Sequence, residues 1–531
     1  MGAMSPDSAS HSSRAQQFLS QAPQFQLGAL PTESRHPRTT RLSQLSLENL
    51  EAAIDLLKDV ELEALHCLKG RDRDLEQMAE EIRATLQGGG RIFLGGCGAT
   101  GRLSLSLETI WREEVARRGR QDLSEKVISF MAGGDYALVR SIENFEDHPE
   151  YGARQLLDLG FGPEDLMIGC TEGGETPWVI GAVEQAAEIS RRPPYFVYCN
   201  PTELLRKTTE RSRRVIDNRY IRSIAYETGP MAVAGSTRMQ ATSVLQLAVG
   251  AAMFAYLEPG LKPSDIVDRH VRALRETDLK GLAPLIREEA ETYAAGNYCV
   301  HRTSAYAITV LTDTTERSPT FSLRQFENDL EKDPNLSWSY LCHPGSKGSN
   351  DSWSKVLRRE PRALDWSSFR ERFGQTALLG FDFSPTTLER RVRVAGAGQK
   401  QVRVFDVEPE GTSIVLKFGK NETRLARPES LLSEHLLLKC AFNAGSTLVM
   451  GRLGRFSGNL MLYVRASNMK LIDRAIRYVR ILLEESGIGG CTYEEVCLAL
   501  FEIRETLGPD DPIVLRTFEL CRNRYYSKRG A

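Results

Sequence analysis

The apolar run Ile92-Phe93-Leu94 ends in glycines, passes through Cys97-Gly98-Ala99-Thr100-Gly101, and enters a segment with Leu103, Leu105, Leu107 and Ile110 among its apolar positions. That order predicts a strand, a glycine loop and a helix in succession. Few folds place these elements together except a parallel sheet covered by helices. The loop also predicts a phosphate cradle, because N–H groups at a helix N-terminus lack intrahelical acceptors and glycines let an anion approach them. Gly98 and Gly101 supply the approach and Thr100 a hydroxyl donor. Gly96, Gly98 and Gly101 also fit the GxGxxG spacing of dinucleotide sites. Such a site wants an acidic residue about 20 positions further on, at the end of the second strand. Here the next strand is Val127-Ile128-Ser129-Phe130-Met131 and the first acid after it is Asp135, too late for a ribose. A sugar phosphate is the expected ligand, with a nucleotide or a purely structural turn as alternatives, and no cofactor is expected.

Further strands at residues 166–170 and 195–199 alternate with helices, so an α/β fold with a doubly wound parallel sheet is expected. A second glycine-bearing turn, Thr171-Glu172-Gly173-Gly174-Glu175-Thr176, follows one strand, and Pro177 suits the first turn of the next helix. Both turns fall at strand carboxyl ends, where such sheets bind ligands. Ser236 and Thr237 open a long apolar helix and are competent either as N-caps or as phosphate donors. The plan then recurs: helices lead through Gly296 into the strand Tyr298-Cys299-Val300, but the following loop, His301-Arg302-Thr303-Ser304-Ala305, has no glycine for a second cradle. The run Ala377-Leu378-Leu379-Gly380-Phe381 and the segments 402–407 and 412–417 are expected as further strands of a second sheet.

At 531 residues the chain exceeds one ordinary core. The expected division is a disordered tail at 1–30, a first domain at 31–262, a degenerate second domain at 263–480 with an insertion at 327–371, and a helical segment at 481–531. The formal charge of −2 offers no attraction for nucleic acid or an anionic membrane. No long apolar run or secretory leader is present, so a cytoplasmic protein is expected. The 10 cysteines form no CxxC pair and no HExxH occurs, so no metal is expected. The polar stretch TESRHPRT at 32–39, taken alone, reads as a solvated loop.

TESRHPRT, GCGATGRL, MAGGDYALVRSIENFED, TEGGETPWVIGA, GSTRM, GRLGRFSGNLM and ASNMKL, in this order, resemble the words of N-acetylmuramic acid 6-phosphate etherases. The two-copy layout resembles the glucokinase regulatory protein, of the same superfamily of sugar-isomerase (SIS) domains. The resemblance implies two SIS-type doubly wound parallel-sheet domains in tandem, with a helical C-terminal segment. It implies phosphate contacts at Thr100, Thr171, Gly173, Thr176, Ser236 and Thr237, a catalytic carboxylate at Glu146, and Lys470 beside the substrate. The family's other carboxylate belongs in a D-x-x-E-x-x-P-T-aromatic pattern, where the first copy has Ile110. The second copy carries that pattern in full, from Asp313 through Glu316 and Pro319 to Thr320-Phe321. The resemblance therefore implies one composite site and one dead pseudo-site in a monomer whose halves dock as a pseudo-dimer.

The implied reaction eliminates lactate from C3 of a ring-opened aminosugar phosphate and then adds water, in peptidoglycan sugar recovery. Two carboxylates suffice as base and acid, with Glu146 at the C2 proton and Glu316 at the leaving oxygen, roles that can be exchanged. The alternative implied is a non-catalytic sugar-phosphate sensor that regulates a sugar kinase by protein contact. Gly173 and Glu175 stand where etherases carry serine and arginine, and Gln240 where they carry lysine.

Overall fold

The computed structural model describes residues 11–22, 27–142, 145–332, 335–464, 466, 469–508 and 511–529. Five strands, β1 (Ile92–Gly96), β2 (Val127–Met131), β3 (Leu166–Cys170), β4 (Tyr195–Tyr198) and β5 (Arg222–Ala225), form a parallel sheet in the order β2-β1-β3-β4-β5. Every residue of β1, β2 and β3 is buried. Continuous apolar runs of this kind are stable only with both faces covered, so the sheet is layered between helices. Ile92 pairs with both Val127 and Leu166, which puts the glycine turns after β1 and β3 side by side at one sheet edge.

The loop after β1 is tight for steric reasons. A Cβ on Gly96 would lie 2.4 Å from the Thr100 carbonyl, one on Gly101 would lie 2.5 Å from Met131 Cβ, and Gly98 has φ of +54°. Gly96→Ala is expected to destabilise the protein by about 2 kcal/mol in denaturant unfolding. Gly396, in the helix Pro385–Ala397 with open space at its Cβ position, serves as the contrast, since alanine there should be neutral or stabilising.

The second sheet has the order β10-β9-β8-β6-β7, from β6 (Tyr298–Arg302), β7 (Ser339–Cys342), β8 (Val402–Glu410), β9 (Ser413–Phe418) and β10 (Asn421–Ala426). β7, β6 and β8 are parallel like their counterparts in the first sheet, whereas β9 and β10 extend it as antiparallel hairpins. The strand expected at 377–381 is absent: Gln375–Leu379 is a short helix. A short apolar run suits a buried strand or a buried helix equally. The place beside β6 is taken by β7, from the stretch expected to be an insertion. The described residues of 327–371 are therefore integral, and besides β7 they supply the helix Ser349–Leu357 and two arginines that cross to the first half.

Those arginines close a buried charge cluster. Glu108, on the helix Ala99–Arg117, contacts Arg112, Arg359 and Arg362 at 3.1, 3.0 and 3.1 Å, and Arg359 also reaches Asp135 at 2.6 Å. Burial opposes the charge of Glu108, but the three guanidiniums hold its carboxyl at about 2.

The expected disordered tail is corrected for its described residues. His11–Gln21 is a helix that packs on Tyr493–Arg504, with Ala15 and Phe18 buried and Phe18 6.0 Å from the Phe501 ring. Residues 1–10 and 23–26 lie outside the described residues. One phenylalanine and one alanine among serines and glutamines make no readable stripe, because their partner face lies more than 450 positions away in sequence. Among the described residues, no helix is long and apolar enough to cross a membrane.

Candidate functional site

A cavity of about 250 Å³ opens where the carboxyl ends of β1 and β3 meet the second-half helix Ala307–Phe321 and the start of the C-terminal helix Met469–Glu485. Its wall brings together Gly98, Glu146, Thr176, Ser236, Thr237, Glu316 and Lys470, seven of the eleven residues singled out by sequence. Glu146 comes from a short turn, Phe145–Asp147, and its Oε2 accepts from the Cys97 thiol at 3.3 Å. Glu316 comes from the other half and pairs with buried Arg102 at 2.7 Å. Both Glu143 and Asn144, and the Ser467-Asn468 part of the ASNMKL word, lie outside the described residues.

The other four residues do not face the cavity. Thr100 Oγ1 donates to the Cys97 carbonyl at 2.9 Å and accepts from the Cys97 N–H at 3.1 Å, so its hydroxyl closes the loop rather than meeting a ligand. Gly101 is buried against Met131. Thr171 Oγ1 is shared with Thr176 Oγ1 at 3.0 Å and accepts from Gly174 N–H, while the Gly173 carbonyl accepts from Asn200 at 3.0 Å. These residues shape the two turns. Sequence spacing marks a turn but does not say which way a small polar side chain points.

The cavity wall carries charged groups of both signs among apolar ones. Besides Glu146 and Glu316 it is lined by Glu172, Arg102, Arg238 and Arg474, none of which sequence reasoning had assigned. Arg102 and Arg238 lay inside quoted words, and Arg474 stands one turn after Lys470 on the same helix face. Each cation is already paired: Arg102 with Glu316, Arg238 with Asp313 at 3.1 Å, Lys470 with Glu175 at 3.1 Å, and Arg474 with Glu33 at 2.7 Å. Glu33 belongs to the TESRHPRT stretch, which is not a solvated loop. Thr32, Glu33, His36 and Thr39 are buried, and Asn200 and Asn459 hydrogen-bond to the stretch.

Burial pushes the Glu172 carboxyl up to about 7, with a backbone hydrogen bond, Lys470 and the Thr242 hydroxyl opposing and the Glu316 charge reinforcing. Burial also opposes the charge of Glu175, but Lys470 and Arg211 hold it at about 2. Lys470 is buried too, yet Glu175, Glu146 and Glu33 keep its ammonium above the ordinary lysine range. An anionic ligand is thus left mainly to loop N–H groups and to Thr176, Ser236 and Thr237.

Glu289, on the helix Ala283–Ala294, and Cys299 and His301, on β6, offer ligand atoms within 4.8 Å of one another. Arg317 and the Tyr293 hydroxyl already bind Glu289, so a guanidinium stands where a cation would be repelled.

Residues 74–187 match the family model of the glucokinase regulatory protein N-terminal SIS domain. The N-acetylmuramic acid 6-phosphate etherase of Rippkaea orientalis is 32% identical over 272 residues, covering 50% of this chain and 82% of that protein. The etherase of Synechocystis sp. is 31% identical over 275 residues, with the same coverage of 50% and 82%. That of Gloeothece citriformis is 32% identical over 222 residues, 42% of this chain, and the chain spans 66% of its length. Among solved structures, tagatose-6-phosphate ketose/aldose isomerase from Escherichia coli aligns with a TM-score of 0.41 at 12% identity, covering 81% of this chain and 97% of that one.

Proposed function

The chain belongs to the N-acetylmuramic acid 6-phosphate etherase family, and on that footing we propose that it cleaves the lactyl ether of N-acetylmuramic acid 6-phosphate to N-acetylglucosamine 6-phosphate and lactate. One observation carries this reading: Glu146 from the first half and Glu316 from the second line a single cavity beside the glycine loop. The phosphate lies against the loop with Ser236 and Thr237. Glu146 removes the C2 proton of the ring-opened sugar, the C3–O bond breaks with its electron pair passing to oxygen, and Glu316 protonates the departing lactate. Arg102, at 2.7 Å, stabilises the carboxylate that Glu316 becomes. Water then adds at C3, giving its proton back to Glu316, while Glu146 returns the C2 proton.

The opposite end of the second sheet supports a single working site. There Glu408 bonds Ser304 N–H at 2.5 Å and its hydroxyl at 2.8 Å, so a carboxylate occupies the place a phosphate would need. On this reading the protein acts as a cytoplasmic monomer in peptidoglycan sugar recovery, its two halves supplying what paired subunits supply in etherases.

A second reading, a sugar-phosphate sensor that regulates a sugar kinase, is favoured by one feature. The pairing of Lys470 with Glu175 leaves less cationic charge for a lactyl carboxylate. Enzymatic detection of lactate released from N-acetylmuramic acid 6-phosphate decides between them. Release with turnover is the expected result. No release, with fructose 6-phosphate still raising the melting temperature, would establish the sensor.

A further inference from the structure

Glu172 has no part in the mechanism above, yet its side chain lines the cavity with Glu146 and Glu316. Its direction is set by backbone bonds: Thr171 N–H donates to the Val197 carbonyl at 3.0 Å, and Cys199 N–H donates to the Glu172 carbonyl at 3.0 Å. Glu172 Oε1 lies 3.1 Å from Thr242 Oγ1, and that same hydroxyl lies 2.7 Å from the Thr237 carbonyl oxygen. Thr242 has one hydroxyl hydrogen for these two oxygens, and the carbonyl is the nearer. Glu172 is buried, and among the described residues it has no ion-pair partner, so a proton on its own carboxyl would both neutralise it and supply the second hydrogen.

We propose that Glu172 is a neutral carboxylic acid in the working site, donating its proton to Thr242, and that loss of this proton weakens binding of anionic ligands. The groups that face it are Lys470 from the C-terminal helix, Glu316 from the second half, Cys97 from the first loop, Cys170 on β3 and Cys199 after β4. Lys470 favours the charged form from a distance but its ammonium is bonded to Glu175, and burial raises all three thiols, so none of these gives Glu172 an ion-pair partner. A charged Glu172 would add to the negative charge of the base, Glu146, in a cavity that on this reading takes a phosphate. The neutral form removes that repulsion and presents Oε2 as an acceptor for a sugar hydroxyl. With its carboxyl at about 7, the residue changes state within the physiological range.

The role in ligand binding rests on the phosphosugar reading above; the protonation itself does not, and two measurements keep them apart. The first needs no ligand. The folded-to-unfolded ratio of the native chain, divided by that of Glu172→Gln, should fall about tenfold per pH unit between roughly pH 4.5 and 7 and then level off. Glutamine can donate to Thr242 as the neutral acid does, so the variant should fold. A flat ratio would mean that folding leaves the carboxyl at its ordinary value, ionised over that window, and would overturn the proposal. The second is calorimetric titration with N-acetylglucosamine 6-phosphate, in which the native chain should lose about tenfold in affinity relative to the variant between pH 6 and 8. Taking the ratio cancels the ionisation of the phosphate itself. Equal pH profiles would overturn the binding role. Absence of binding at every pH, with the stability ratio still sloping, would instead count against the phosphosugar reading and leave the neutral Glu172 standing. If Glu172→Gln does not fold, proton uptake on ligand binding by the native chain at pH 8, measured in two buffers of different ionisation enthalpy, replaces both; none would overturn the proposal.

Discussion

Glu316→Gln should lower lactate release by about 10³-fold in kcat, with KM changed far less. Glutamine keeps a hydrogen-bond acceptor for Arg102, so the buried guanidinium is not stranded and the fold should survive. What is lost is the proton for the leaving oxygen. Glu146→Gln should cost a similar factor, and the double variant little more than either alone, because base and acid act within one elimination. On the composite-site reading the two halves serve one site, so neither variant should leave a second site to work. Activity that survived Glu316→Gln at more than about a tenth of the native rate would sink the composite site.

Arg359→Met should give the largest loss of stability, about 3–5 kcal/mol by denaturant unfolding. The guanidinium reaches Asp135 through both terminal nitrogens, at 2.6 and 3.0 Å, and Glu108 through Nε at 3.0 Å, all in the interior. Methionine fills much of the volume but leaves Asp135 buried without that charge. Asp135→Asn in the same chain should recover part of the loss, since the uncompensated charge goes with it. The pH dependence has a definite sign. The Glu108 carboxyl lies at about 2, below its ordinary value of 4.5, so its contribution is complete above about 4.5 and disappears as pH falls toward 2. Native chain and variant should therefore converge in stability on acidification across that window. A constant gap would show that the cluster stabilises by packing and not by charge.

The elements around the first sheet were legible because their signals are local. A strand that ends in glycine, a Pro at the first turn of a helix and an apolar stripe are each complete within a few residues. The short run at 377–381 failed for the same reason in reverse, since nothing within it chooses between strand and helix. β7 was missed because its four residues, Ser339–Cys342, are too short a run to show a period inside a charged, turn-rich stretch, and the pairing with β6 supplies what the sequence withholds.

Sequence alone determined the alternating sheet architecture and the glycine loop, while the pairing of Glu146 with the Glu316 pattern was implied by the family resemblance. Tertiary structure decided which residues face the cavity, turning Thr100 and Thr171 inward and bringing Glu172 to the wall. It also decided the charge state of the site: Arg474 meets Glu33 across 441 positions of sequence and Lys470 meets Glu175 across 295. Backbone conformation follows from neighbours along the chain. Side-chain direction and charge compensation depend on groups that only folding brings within a few ångströms, where low dielectric makes each pairing count.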